Sequence, residues 1–300
     1  MASDITSPDQ EDLLTPDFLR KIERMNLLTR RIFPGRLRGE RRSIKRGASV
    51  EFADYRNYTV GDDFRRVDWN VYARLEKLFL KLFVEEEDLH VYVLLDVSRS
   101  MYFGTPTKLL YGKRIAAALS YIALANLDRV GLATLSGSKA SPLSLKRGKQ
   151  AAFEIFEHLK SVRSDGETNL AASLREFSLK TSQSGPAIVI SDFFDQGYRD
   201  GVMSLLSRKF EVTLIHVLDK EEVSPALAGD LVLIDSETGS HREITVTQSL
   251  LRRYRERLAS FCNEIESFSV KYGCNYVRVT NESEFEDLVL SYLRKKRLIA

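Results

Sequence analysis

Asp96, Ser98 and Ser100 alternate in Asp96-Val-Ser-Arg-Ser-Met101, directly after the apolar run Val91-Tyr-Val-Leu-Leu95. A second carboxylate, Asp192, follows the apolar run Ala187-Ile-Val-Ile190 in the same way, and Thr168 lies in Asp165-Gly-Glu-Thr-Asn-Leu170 ahead of a helical pattern. These are hard oxygen donors. Mg²⁺ takes near-octahedral oxygen coordination, keeps several waters and uses few carboxylates. Hydroxyls from Ser98, Ser100 and Thr168, with Asp96 and Asp192 close by, meet that demand and leave one position for an outside ligand. Mn²⁺ and Ca²⁺ have related preferences. Asp195 stands where it can support the metal loop from behind.

The triplet also has a plain reading, because serine and aspartate are frequent in loops and at helix starts, so that Ser98 or Ser100 could simply cap the next helix. Other chemistries find less support. The histidines, His90, His158, His216 and His241, are scattered with no His-Glu-x-x-His spacing. Gly148-Lys149 lacks the rest of a phosphate-binding loop, and no Gly-x-Ser-x-Gly elbow occurs. Cys262 and Cys274 read as two buried, reduced thiols.

The elements that must position these residues alternate along the chain. Apolar runs at 90–95, 130–135, 187–191, 212–217 and 276–279 read as strands, and helical spacing covers 108–127, 149–161, 170–181, 200–208, 248–272 and 283–296. Short strands at 231–234 and 243–246 suggest a hairpin across Thr238-Gly239. The alternation predicts an open, mostly parallel, doubly wound α/β sheet with an N-terminal helical and irregular extension. In such sheets ligands sit beyond the carboxyl ends of the strands, which is where Asp96 and Asp192 fall. Ahead of the sheet, residues 1–14 read as a disordered tail, Pro16 to Ile32 as a helix, and 36–75 as a compact irregular unit. The domains expected are thus 1–14, 15–77 and 78–300.

With 300 residues, 43% hydrophobic and 29% charged, the chain has the composition of an ordinary globular protein. No window approaches the roughly 18 uninterrupted apolar residues of a membrane span, and Met1-Ala-Ser-Asp4 does not open like a signal peptide. A cytoplasmic protein is expected. The net charge of +3 does not call for nucleic acid, although between Thr15 and Ala48 bases outnumber acids eleven to three. The densest run, residues 36–46, could engage phosphate backbones or, peripherally, an anionic membrane.

Taken together, Asp96-x-Ser98-x-Ser100, Thr168 and Asp192 resemble the metal-ion-dependent adhesion site of von Willebrand factor A domains. The resemblance implies that Ser98 and Ser100 bind the metal directly and that Asp96 and Asp192 act mostly through water. It also implies that Thr168 moves between direct and indirect contact, and that a partner's Asp or Glu fills the open position. Few direct carboxylates leave such a metal electrophilic. Upstream, Ser49-Val-Glu-Phe-Ala-Asp-Tyr-Arg-Asn-Tyr-Thr-Val-Gly-Asp-Asp-Phe-Arg-Arg-Val-Asp-Trp-Asn-Val-Tyr-Ala-Arg74 is similar to the signature of the bacterial family called "domain of unknown function 58". That family is associated with MoxR-type AAA+ ATPases, which implies an adaptor or co-chaperone rather than an enzyme. Within the signature, Arg66, Asp68, Trp69 and Arg74 are candidates for a partner surface, as is Arg99 beside the metal loop. Their structural reading is an ion-pair network of Asp62, Asp63, Arg65, Arg66, Asp68 and Arg74, anchored by Tyr58 and Trp69. Two alternatives differ in class: a metal-dependent hydrolase or phosphatase using Asp96, and a nucleic-acid or anionic-membrane binder using residues 36–46.

Overall fold

Val91 to Asp96 are all buried, so the strand they form must be covered on both faces. The computed structural model describes residues 13–25, 51–59, 62, 64, 67–84, 89–164, 166, 169–234, 241–283 and 285–292. In chain order its elements are α1 (Pro16–Ile22), β1 (Glu51–Asn57), α2 (Trp69–Leu75), β2 (Phe79–Val84), β3 (His90–Asp96), α3 (Lys108–Ala125), β4 (Arg129–Ser136), β5 (Lys139–Pro142), β6 (Lys146–Arg147), α4 (Ala152–Ser161), α5 (Leu170–Lys180), β7 (Pro186–Ser191), α6 (Tyr198–Ser207), β8 (Glu211–Leu218), α7 (Lys220–Val223), β9 (Gly229–Ile234), β10 (His241–Val246), α8 (Gln248–Tyr272) and β11 (Asn275–Thr280).

The main sheet has the order β11-β8-β7-β3-β4-β5, with β6 also on β4. Its first five strands are parallel, and β5 and β6 run antiparallel. This is the open, mostly parallel α/β architecture expected. The two faces follow the strand period of two. Tyr92, Leu94, Val189 and Leu214 join Leu174, Phe177, Val202 and Ile265 of α5, α6 and α8 in one core. Leu95 and Ile190 meet α3 on the opposite face. There Gly112 leaves room for the strands: a Cβ on it would lie 3.0 Å from Leu95 Cδ1 and 3.4 Å from Ile190 Cγ2. The close approach seats α3 on β3 and β7.

The strand order also fixes where a ligand would go. From β3 the chain steps outward to β4, then returns across β3 to β7, β8 and β11. The direction of winding therefore reverses between β3 and β7, and the carboxyl ends of those two strands flank the crevice.

The chain divides into two compact units, residues 1–30 with 90–300, and residues 31–89. In the smaller unit β1 and β2 pair antiparallel, which takes β2 out of the parallel-sheet domain that the sequence starts at residue 78. In the larger unit α1 ends at Ile22, ten residues short of the helix expected, with Glu23 as its C-cap. Leu13 and Leu14, read as the end of a disordered tail, are buried; as apolar side chains they gain by leaving water. Phe18 is buried against Phe285, with ring centroids 5.3 Å apart. Of the helix expected at 283–296, the described residues form one turn at Phe285–Asp287 that continues as a π-helix, Leu288–Tyr292; residues 1–12, the basic run 36–46 and residues 293–296 lie outside the described residues. The two strands β9 and β10 pair antiparallel, while the turn expected at Thr238-Gly239 lies outside the described residues; both cysteines are free and buried.

Candidate functional site

Register brings the strand ends together. Leu95 is level with Ile190, so the next residues, Asp96 and Ser191, come side by side. The Ser191 hydroxyl donates to Asp96 Oδ2 at 2.6 Å, and the Ser98 amide donates to Asp96 Oδ1 at 2.9 Å. Burial pushes the Asp96 carboxyl up to about 6, reinforced by the negative charge of Asp192 and opposed by the Ser191 and Ser98 hydrogen bonds. Ser98 heads a short 3₁₀ turn, Arg99–Tyr102, but its side chain makes no capping bond there. Its hydroxyl instead lies 3.0 Å from that of Ser100. The plain capping role is thus not the one Ser98 takes.

Asp192 is buried at the end of β7 and accepts the Phe194 amide at Oδ1, 3.3 Å, and the Lys108 ammonium at Oδ2, 2.8 Å. Between them Phe193 takes a left-handed backbone, φ 55°, with its ring fully buried against Tyr198 and His216. This conformation is uncommon for a bulky residue. It turns Phe193 into the core, while Phe194 stacks on Phe261 of α8, centroids 5.6 Å apart. The Ser191 hydroxyl also accepts the Phe193 amide at 2.9 Å, so one serine fixes both carboxylate-bearing strand ends.

Thr168 lies outside the described residues, but its flanks are tied to both loops. The Arg99 amide donates to the Gly166 carbonyl at 3.2 Å, and the Ser164 hydroxyl to the Ser98 carbonyl at 3.0 Å. On the other side, Asp195 Oδ2 accepts the Leu170 amide at 2.6 Å and its Oδ1 accepts the Gly197 amide at 2.7 Å. Asp195 thereby joins the Asp192 loop to the start of α5, a supporting position.

Three residues of this region carried no signal in the sequence. Ser191 looks like one more small strand-end residue. Lys108 opens α3, where a lysine usually points to water, yet its side chain is fully buried and also donates to Glu222 Oε1 at 2.5 Å. Burial works to lower its pKa, but Asp192 and Glu222 outweigh that and hold the ammonium above its usual range. Glu222 belongs to α7, where its Oε2 accepts the Asp219 amide at 2.7 Å in a capping box. His216, level with Ser191, is pushed down to about 3 by burial and is neutral.

The donors so assembled are carboxylate and hydroxyl oxygens. The Asp96 and Asp192 carboxylates are both buried at the ends of adjacent parallel strands, beside the hydroxyls of Ser98 and Ser100. Among the described residues no three His, Cys, Asp or Glu side chains cluster as a metal site. Half of the candidate oxygens here are serine hydroxyls, and the donor set fits a hard cation.

The candidate partner surface is less uniform. Arg99, Trp69 and Arg74 are exposed, and Arg66 lies outside the described residues. Asp68 is not a surface residue: it is buried, and its carboxylate caps α2 by accepting the Asn70 and Val71 amides at 3.0 and 3.3 Å. Asp62 similarly accepts the Thr59 amide and hydroxyl, at 2.9 and 2.7 Å.

Comparison with known proteins gives a family and a set of distant neighbours. The family model described as "Protein of unknown function DUF58" matches residues 54–261. The uncharacterized protein Rv1480 of Mycobacterium tuberculosis is 26% identical over 248 residues, covering 80% of this chain and 77% of that one. Among solved structures, the conserved hypothetical protein BatB of Bacteroides thetaiotaomicron matches at 16% identity and a TM-score of 0.43, over 69% of this chain and 98% of that one. The SpRpn10 VWA domain matches at 14% identity and a TM-score of 0.38, over 68% and 94%. Among the described residues, no helix is long and apolar enough to cross a membrane.

Proposed function

We propose, from the premise that this chain belongs to the DUF58 family, that its strand-end site holds a divalent metal, Mg²⁺ by preference, and uses it to grip an acidic side chain of a protein partner. The chain would then be a non-catalytic binding module. The observation that carries this reading is the pair of buried carboxylates, Asp96 and Asp192, at the ends of neighbouring parallel strands beside the paired hydroxyls of Ser98 and Ser100. Asp96 and Asp192 would supply charge, the two serines would supply neutral donors, and Thr168 would complete the set. When bound, the metal supplies a Lewis-acidic position open to an outside carboxylate. Ser191 and Asp195 hold the loops, and the exposed Arg99 adds a positive charge at the rim.

The resemblance to the family suggests a MoxR-type AAA+ ATPase as the partner, with this chain as its adaptor or co-chaperone. Calorimetry should detect Mg²⁺ binding to the full chain and lose it in Asp96→Ala. Association with a purified MoxR-type ATPase should need Mg²⁺ and fail in EDTA. Equal association in both buffers would count against the metal-mediated grip.

A further inference from the structure

An ammonium buried among carboxylates needs an explanation, because pairs of this kind are weak stabilising devices: desolvation costs about as much as the attraction returns, and apolar replacements often do as well. Lys108 is fully buried and divides its ammonium between Asp192 Oδ2, at 2.8 Å, and Glu222 Oε1, at 2.5 Å. One of those two carboxylates belongs to the candidate metal site. The other stands on α7, held in place through its second oxygen by the Asp219 amide. Gly112, one helical turn after Lys108 on the same face of α3, sets the helix against β3 and β7, so the lysine is aimed at the strand ends.

We infer that Lys108 sets the metal affinity of the site by competing with the cation for Asp192, with Glu222 receiving the ammonium when the cation is bound. The geometry favours such an exchange. The ammonium already touches both acceptors, so releasing Asp192 breaks one contact and creates no unpaired charge. It also lies 5.0 Å from the centroid of the Phe194 ring, whose face can hold a cation released from Asp192. Glu222 is fixed by the capping box and would not need to move. A cation held against this internal rival binds more weakly than the carboxylates alone would allow. The site would then be tuned so that a partner's carboxylate adds materially to metal retention.

This inference rests on the metal-binding reading, and its test separates the two. Mg²⁺ affinity is measured by calorimetry on the full chain for wild type, Lys108→Met and Glu222→Gln, with circular dichroism to check folding. Removing the rival cation should tighten binding at least about tenfold. Glu222→Gln, which leaves the ammonium only Asp192, should weaken it by a similar factor. A purely structural role for the lysine would not move the two variants in opposite directions. A folded Lys108→Met with unchanged or weaker affinity, or a Glu222→Gln with tighter affinity, overturns the competition while leaving wild-type metal binding in place. If Lys108→Met does not fold, the direction of the Glu222→Gln change decides. Absence of binding in the wild type overturns the metal reading itself.

Discussion

Asp96 carries a carboxylate whose proton affinity reflects where the fold has put it. Burial, and then the charge of Asp192, raise its pKa from 3.8 to about 6. The folded chain therefore holds a proton more firmly than the unfolded chain between those values. Its contribution to metal-free stability is fully present below pH 3.8 and is lost as the pH rises through about 6. The loss should be on the order of 3 kcal/mol, and it should disappear in Asp96→Asn, as denaturant unfolding in EDTA at pH 4 and 7 would measure. Metal binding has the opposite sign. It needs the ionised carboxylate, so Mg²⁺ affinity should fall about tenfold per pH unit below 6 in calorimetric titrations. At this scale the strand-end placement of Asp96 and Asp192 was legible, because each closes an apolar run that forms a buried strand. The placement of Lys108 was not legible. A lysine in the first turn of a helix reads as solvated, and the carboxylate it meets on α7 is 114 positions away.

The element that matters most to the site's geometry is α3. Gly112 brings it against the sheet, and Ala116, Ala117 and Ala118 are fully buried. Gly112→Val should push Leu95 and Ile190 apart, destabilising the chain by about 1–3 kcal/mol in denaturant unfolding. It should also weaken Mg²⁺ binding, because Lys108 and the strand ends move together. Gly112→Ala should be near neutral in stability, since the gain in helix propensity offsets the crowding of Leu95 Cδ1, the end of its side chain, at 3.0 Å. Continuous apolar runs made the five parallel strands legible. They did not reveal β5 and β6, four and two residues long and containing lysine, arginine, serine and proline. Those strands exist because β4 offers an edge to pair with, which is a tertiary fact. In the same way the apolar spacing continued past Ile22 to Ile32, yet α1 stops at the former.

On the scale of the whole chain, the family match runs from residue 54 to 261, from the smaller unit into the larger, while the strand-end site lies within the larger alone. Saturating Mg²⁺ should therefore protect amides around β3, β7 and the start of α5 from hydrogen exchange. It should leave β1 and β2 unchanged. At a hundred times its dissociation constant the cation should add about 2.7 kcal/mol to the stability of the larger unit, read as a raised melting temperature. The sheet order carries a further consequence. The first strand of the sheet to be synthesised is also a central one, and its Asp96 hydrogen-bonds a serine 95 residues later. A nascent chain, or a fragment ending after β4, carries the Asp-x-Ser-x-Ser triplet with none of its remote neighbours. Cation capture would thus be withheld until the long-range closure is complete, and a loaded site would report a finished domain.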